Sequence, residues 1–386
     1  MPGGNPLDLR IRARLDSLRE SGLLRTLRPP SGADFSSNDY LNLATDPRVV
    51  HGFVSGAARE GCGSTGSRLL RGDRTVFAAV ERRFAQFKGA ERALLFSSGY
   101  LANLAVLATL AEAEDVIFSD ERNHASLIDG VRLSRARKVV FPHSDVGALD
   151  QLMASVSCAG LRFVVVESLY SMDGDVGPLA EFDALCRRRG ALLIVDEAHA
   201  VGVFGARGSG LIEAAGLDPT SCVSVNPAGK ALGASGAFVA GPARLVDYLV
   251  QRARPFVFST APPPSLAGAL DASLTIVGEE PVRRERLLAR ATYFRSRLRR
   301  LGLSVSDEVT QIVPVIIGDN LRAVAVADQL QAEGFDVRAI RPPAVPVGTA
   351  RLRISLNAAL TEGTLDRFSD ALVAALTGHQ CFAVSS

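Results

Sequence analysis

Short runs that are apolar at nearly every position recur between about Phe35 and Leu270, separated by polar or glycine-rich turns and by helix-like segments. RALLFSS, DVIFSD, KVVFPH, RFVVVESL, ALLIVDEAH and CVSVN are of this kind. A strand without in-and-out alternation is covered on both faces, so these runs predict a mostly parallel sheet flanked by helices, an α/β fold. Upstream, residues 7–28 space Leu, Ile and Arg as an amphipathic helix ended by Pro29 and Pro30, which cannot continue it. After the proline cluster APPPSLAG, the stretch PVRRERLLARATYFRSRLRRLG predicts a long arginine-rich helix, followed by strands near TQIVPVIIG, FDVRAI and ARLRISL. The expected organisation is an N-terminal arm and helix over residues 1–45, a large α/β domain over 46–270 and a smaller α+β domain over 271–386.

Composition narrows the function classes. With 386 residues, 47% of them hydrophobic, the chain fills one large or two medium domains. Lys plus Arg is 43 against 41 for Asp plus Glu, a net charge of +2 that gives no broad field for a polyanion, so nucleic acid is not an expected partner. The apolar stretch LANLAVLATLA falls short of the ~20 residues a bilayer crossing needs. The N-terminus lacks the apolar core of a signal peptide, so a cytoplasmic protein with no membrane partner is expected. Cys62, Cys158, Cys186, Cys222 and Cys381 are odd in number and form no CxxC pair, which fits reduced thiols and no metal. The only lysines are Lys88, Lys138 and Lys230, so a generic surface role is less automatic for Lys230.

Candidate chemistry gathers at the ends of the apolar runs. GCGSTGSR, residues 61–68, contains a GxGxxG spacing, but a dinucleotide fingerprint needs a strand directly before it, and HGFVSGAAREG reads as a helix end. That segment is a tight glycine loop, with or without ligand contact. FSSGYLANLAVLATL carries a strand through Ser97, Ser98, Gly99 and Tyr100 straight into a helix, whose free N–H groups and positive dipole end suit a phosphate. Asp196 and His199, in ALLIVDEAHAVGVFG, fall just past a buried strand, where parallel α/β sheets place functional groups. DERNHASLIDG puts His124 after a second strand, and VVVESLYSMDGD puts Glu167, Ser171 and Asp173 after a third. Lys230 sits among glycine and alanine in NPAGKALGASG; an ammonium in a tight setting loses its proton more readily, and a neutral amine forms a Schiff base. A phosphate cradle, an acid to keep a pyridine nitrogen protonated, a histidine for the ring and an aldehyde-trapping lysine together are what pyridoxal 5'-phosphate (PLP) requires.

Over nearly its full length the chain resembles the α-oxoamine synthase family of fold type I PLP enzymes, on the strings SSNDYLNL, GCGSTGSRLLRG, LLFSSGYLAN, NHASLIDG, SLYSMDGD, VDEAHAVGVFG, FVFST and GTARLRIS and on the Lys230 segment. Within the family, AIRPPAVPVGTARLR most resembles the biotin-pathway branch. The resemblance implies a PLP-dependent transferase with a large mostly parallel sheet domain and a smaller C-terminal α+β domain. It implies a decarboxylating Claisen condensation of L-alanine with pimeloyl-CoA or a pimeloyl carrier protein, by a homodimer with its active sites at the interface. Lys230 would carry the cofactor and act as acid and base at Cα, Asp196 would pair with the ring nitrogen, His199 would bond the ring oxygen and His124 would stack on the ring. Backbone groups of Ser98, Gly99 and Tyr100, with Thr260 from the neighbouring subunit, would hold the phosphate. Arg353 would bind the amino-acid carboxylate, Asn38 and Ser171 would line the substrate side, and Arg25 would help receive the acyl thioester.

The chain departs from the family pattern at three positions. Pro227 stands where a hydroxyl residue is usual, and proline offers neither a hydroxyl nor an N–H to a phosphate, so looser cofactor binding is expected unless Asn226 compensates. Leu360 and Phe77 each stand where the family frequently has histidine. Two other readings compete with the leading one: a family member using another amino acid or acyl thioester, and a relic that binds PLP without turnover.

Overall fold

The computed structural model describes residues 5–378, so Cys381 lies outside the described chain. Its strands are β1 (Ala33–Asp34), β2 (Arg92–Phe96), β3 (Val116–Asp120), β4 (Arg137–Phe141), β5 (Arg162–Glu167), β6 (Ala191–Asp196), β7 (Val223–Pro227), β8 (Ala237–Gly241), β9 (Ile312–Gly318), β10 (Phe335–Asp336), β11 (Ala339–Ile340) and β12 (Ala350–Ser355). Two compact units divide the chain. The larger comprises Asn38–Ser171 and Asp175–Arg286; the smaller takes the residues up to Ser37, Met172–Gly174 and those from Leu287 onward.

This division differs from the expected boundaries at 45 and 270. The stretch up to Ser37 groups with the C-terminal part because β1 pairs with β10 and the Ser355 N–H donates to the Phe35 carbonyl (2.8 Å). The helix Ser265–Glu279 stays in the larger unit. It crosses the helix Pro47–Glu60 so closely that a Cβ on Gly52 would lie 2.4 Å from the Gly268 carbonyl oxygen. The proline cluster before it is a turn inside the unit.

In the larger unit the sheet order is β2-β8-β7-β6-β5-β3-β4. β7, β6, β5, β3 and β4 pair in parallel, and only β8 runs against its neighbours β7 and β2. All six apolar runs quoted above form strands. β8 is not anticipated, because AFVAG is enclosed by glycines and merges with the small-residue stretch around Lys230. Both faces of the sheet are covered, which is why its strands lack alternation. On one side the helix Gly99–Leu110, apolar nearly all round, packs with Ile117, Phe163, Ile194, Val223 and Val225 in one core. On the other, Phe84 of the helix Thr75–Lys88 stacks on Phe238 of β8 with ring centroids 4.1 Å apart. β4 closes one edge and leaves Arg137, Lys138 and Val140 exposed.

The smaller unit holds the antiparallel sheet β11-β12-β9 and the helices Asn320–Ala332 and Glu362–Gly378. Its centre is aromatic: Phe35 stacks on Phe368 at 3.9 Å, with Phe335 and Phe294 against the same ring. FDVRAI forms two short strands, β10 and β11, instead of one. The N-terminal helix spans Pro6–Glu20 and not 7–28, because Ser21 caps it and Gly22 takes a left-handed φ of 67°, turning the chain well before Pro29.

Candidate active site

Five segments leave the large sheet at the C-terminal ends of β2, β3, β5, β6 and β7, and each brings one part of the site. After β2, Ser98 caps the helix Gly99–Leu110, its hydroxyl accepting from the Leu101 N–H (3.3 Å). The next N–H groups of that helix lack intrahelical partners, as at any helix start, and are available to an anion. Tyr100 is exposed and its hydroxyl bonds the Asp129 carboxylate. After β3, His124 caps the helix Ala125–Leu133 through its ring: Nδ1 accepts from the Ser126 N–H (3.2 Å) and also meets the Ser126 hydroxyl (2.7 Å). That fixes Nδ1 as the acceptor nitrogen and leaves the rest of the exposed ring open.

Asp196 ends β6 and is buried, with Oδ2 accepting from Asn103 Nδ2 (2.7 Å) and Oδ1 from the Ala198 N–H (2.8 Å). Asn103 also donates to the Ser126 hydroxyl (2.9 Å), so one amide joins the segments bearing Asp196 and His124. Lys230, half-buried in the turn after β7, places Nζ 3.0 Å from His199 Nε2. His199 Nδ1 lies 2.6 Å from the Tyr40 hydroxyl, which donates to Asn38 Oδ1 (3.0 Å). A phenol has one proton, so this chain has a single direction. The amine donates to His199 Nε2, His199 Nδ1–H donates to Tyr40, and Tyr40 donates to Asn38.

Glu167 ends β5 directly opposite Asp196 in the parallel register. Burial first, and then the charge of Asp196, push the Glu167 carboxyl up to about 8. Near neutral pH the Glu167 carboxyl is therefore held mostly in its neutral form. Glu167 Oε1 accepts from the His124 N–H (2.6 Å), and the Ser171 N–H also reaches this carboxyl. A buried acid whose two oxygens both accept from N–H groups, one directed amine, an open imidazole face and a helix N-terminus make a set that fits PLP: a ring N–H for Asp196, an aldehyde for Lys230 and a phosphate for the helix end.

The residues around this centre place the remaining expectations. Pro227 lies against Gly99, where any Cβ would come 2.5 Å from its Cγ, so the proline ring fills the space beside the start of the phosphate-side helix. Asn226 does not compensate for it: its Nδ2 is committed to the Ser224 hydroxyl (2.9 Å) and the Phe238 carbonyl (3.3 Å) within the sheet. The 61–68 loop follows a helix, not a strand, and is tied to the 261–262 segment by the Ala261 N–H to Gly66 carbonyl bond and the Ser64 hydroxyl to Pro262 carbonyl bond (2.9 and 2.6 Å). Thr260, exposed, lines a small recess with Ser97 and Arg68 of its own chain. Phe77 is buried under the Arg68 guanidinium, 4.7 Å from its ring centroid, a setting for an apolar ring. Arg25, Arg353 and Leu360 belong to the smaller unit. Arg353 is buried on β12 and donates to the Ser355 hydroxyl (2.7 Å); Arg25 is exposed and donates to the Pro342 carbonyl (3.4 Å); Leu360 is a buried apolar residue there.

Glu167 is a strand-end candidate already in the sequence, though without an assigned role; Tyr40, Asn103 and Ser126 are not singled out there. Tyr40 and Asn103 act through partners far away in the chain.

Residues 31–372 match the family profile described as aminotransferase class I and II. An 8-amino-7-oxononanoate synthase from Anaeromyxobacter sp. (strain K) is 47% identical over 380 residues, covering 95% of each chain, and one from Anaeromyxobacter sp. (strain Fw109-5) is 50% identical with the same coverage. Among solved structures, a serine palmitoyltransferase from S. paucimobilis with bound PLP-myriocin matches with a TM-score of 0.90 at 29% identity, over 98% of this chain and 100% of that one. An 8-amino-7-oxononanoate synthase from Francisella tularensis matches with a TM-score of 0.78 at 30% identity, over 91% and 99%. The strand-end lysine, acid and histidines thus stand on a fold and sequence shared across its length with these enzymes, and the chain belongs to the α-oxoamine synthase family of PLP-dependent transferases, within aminotransferase class I and II.

Proposed function

We propose that the chain condenses L-alanine with a pimeloyl thioester, releases carbon dioxide and forms 8-amino-7-oxononanoate, a step of biotin biosynthesis. The observation that carries this reading is the directed Lys230–His199–Tyr40–Asn38 chain beside the buried, doubly hydrogen-bonded Asp196, in a sequence 47% identical to proteins named for that reaction.

PLP, when bound, supplies an electron sink for negative charge developing at the Cα of the amino acid. Lys230 holds the cofactor through its amine and moves the Cα proton, with His199 orienting its nitrogen. Asp196 holds the ring nitrogen in its protonated form, His199 bonds the ring oxygen and His124 lies on the ring. The N–H groups at Ser98, Gly99 and Tyr100 take the phosphate, with Thr260 of the partner subunit. Arg353 grips the planar carboxylate of alanine with a fork that lysine lacks. Asn38 and Ser171 line the substrate side, and Arg25 helps receive the thioester, whether on CoA or on a carrier protein.

The reading includes a cytoplasmic homodimer. Supporting the dimer, Val50, Phe53 and Val54 stand out from the helix Pro47–Glu60, and an apolar recess beside them is lined by Val49, Ala44, Leu266 and Ala269. A patch of this kind favours burial against another copy. No helix among the described residues is long and apolar enough to cross a membrane.

A second reading, a different amino acid or a longer acyl chain, has one observation in its favour: the fold matches serine palmitoyltransferase with the higher TM-score, 0.90 against 0.78. Backbone likeness does not read substrate, and sequence identity points to alanine and the pimeloyl donor. The test is product identification by mass spectrometry with labelled alanine, glycine and serine against a panel of acyl thioesters. Alanine with the pimeloyl donor is expected to give labelled 8-amino-7-oxononanoate and carbon dioxide; preference for serine and a long acyl chain favours the second reading. Purified protein is expected to be yellow with a band bleached by borohydride, and Lys230→Ala to lose that response and turnover together. A bleachable band without turnover on any pair would mark a relic.

A further inference from the structure

We propose that His143 is a positioning residue: wedged between the Asp120 and Asp175 carboxylates, it ties the end of β3, which leads to His124, to the turn that carries Ser171. The inference rests on the roles assigned to His124 and Ser171 above.

His143 lies in the segment after β4. Its Nδ1 is 3.0 Å from Asp120 Oδ1 and its Nε2 is 2.5 Å from Asp175 Oδ2. A carboxylate offers only lone pairs, so both ring nitrogens must donate, and only an imidazolium has two N–H groups. The Tyr170 ring meets the imidazole edge-on, with centroids 4.4 Å apart at 88°. The His143 N–H donates to Glu121 Oε1 (3.2 Å). Ser144 follows in the left-handed region (φ 54°), unusual for a residue with a Cβ, and its N–H donates to Asp120 Oδ2 (2.8 Å). The backbone adopts an unfavourable conformation where it aims the ring.

Each arm of the clamp leads toward the site. Asp120 ends β3 and accepts from the Arg122 N–H (2.8 Å); the next residue, Asn123, anchors to Ser119 Oγ (2.9 Å) and the Val165 carbonyl (2.8 Å), and His124 follows. Asp175 closes the turn after β5 by accepting the Tyr170 N–H at its carbonyl (2.9 Å), and Leu169 bridges Val176. Without the imidazolium, two carboxylates held toward one ring would repel. The groups facing His143 are Asp120 and Glu121 from the end of β3, and Tyr170 and Asp175 from the turn, with the Glu167 carboxyl near Tyr170 neutral until pH rises through about 8. Burial opposes the charged ring, but the two carboxylates outweigh it and hold His143 up at about 9. The clamp is therefore closed through neutral pH and opens as pH rises past that value.

The experiment uses the full chain with ring-labelled histidine. In the cofactor-free protein, the His143 resonance is expected to titrate near pH 9, and Asp175→Asn to lower that midpoint and to shift the His124 resonance. A His143 midpoint between 6 and 7, or an unmoved His124 signal in Asp175→Asn, overturns the proposal whether or not the chain binds PLP. In the PLP-loaded protein, His143→Gln is expected to change the visible circular dichroism of the cofactor. It should also lower kcat by roughly 10- to 100-fold, with a smaller change in KM for alanine. An unchanged visible spectrum with unchanged kcat overturns it as well. Should His143→Gln fail to fold, Asp175→Asn carries the same readouts. A chain that takes up no PLP at all would sink the functional reading while leaving the His143 titration decisive for the clamp.

Discussion

Two acids one hydrogen-bonded strand apart have opposite tasks. Glu167 is raised by burial and by its neighbour Asp196, so the folded chain favours its protonated form. The sign follows: this preference adds stability fully below the ordinary carboxyl range near 4.5 and loses it as pH rises through about 8. Glu167→Gln keeps an acceptor for the His124 N–H and removes the ionisation, so it is expected to flatten part of the fall in thermal midpoint between about pH 5 and 8. Glu167→Ala leaves that N–H unpaired and should cost about 1–3 kcal/mol at either pH. A second buried pair stands behind the site. Lys88 and Glu197 are both fully enclosed and bonded to each other, and Lys88 also donates to the Ser209 carbonyl (2.7 Å). Glu197 accepts from the Ile212 N–H (2.9 Å) and thereby holds the loop that follows Asp196 and contains His199. Lys88→Met leaves the enclosed Glu197 carboxyl without its partner and is expected to destabilise the chain by about 3–5 kcal/mol, whereas Lys88→Met with Glu197→Gln should recover part of the loss. The chain has no tryptophan, so urea unfolding followed by far-ultraviolet circular dichroism is the suitable measurement.

The junction of β7 with the helix Gly99–Leu110, where the proposed phosphate site lies, is tight. Gly99→Ala puts a methyl group into the Pro227 ring and is expected to weaken PLP binding at least about tenfold, near 1.4 kcal/mol. Pro227→Thr supplies a hydroxyl at the same spot and should tighten it; a PLP titration that finds no change would show that Pro227 costs the cofactor nothing. How these elements read from sequence depended on whether their cause was local. The strands of the large sheet announced themselves because burial on both faces removes alternation, and the residues at their ends, Asp196, His199, His124 and Lys230, stood out with them. β8 did not, since its five residues are locally indistinguishable from the glycine-rich turn before it. The N-terminal helix was overextended because Gly22 stops it without any change in apolar spacing. The supporting side chains were illegible for a different reason: Tyr40 finds His199 across 159 positions and Asn103 finds Asp196 across 93, and nothing near Tyr40 or Asn103 in the chain encodes those partners.

The assembled protein leaves Val50, Phe53 and Val54 exposed on one helix, and the dimer proposed above covers them. Phe53→Arg is expected to shift sedimentation toward the monomer and, on the proposed role of Thr260 across the dimer, to lower PLP affinity with it. A monomer with full cofactor affinity would show that each chain completes its own phosphate site. The scarcity of one residue type has a practical consequence. Of the side-chain amines, Lys88 is sealed in the core, Lys230 is half-buried, and Lys138 alone is open, on the edge strand β4, where its charge also discourages pairing with another sheet. An acylating reagent applied to the native chain should therefore mark Lys138 ahead of the other two lysines and spare Lys88 until global unfolding, while the rate at Lys230, the proposed cofactor anchor, should fall as PLP is added. Three nitrogens so differently shielded turn simple covalent labelling into a ruler for surface, site and interior in a single peptide map.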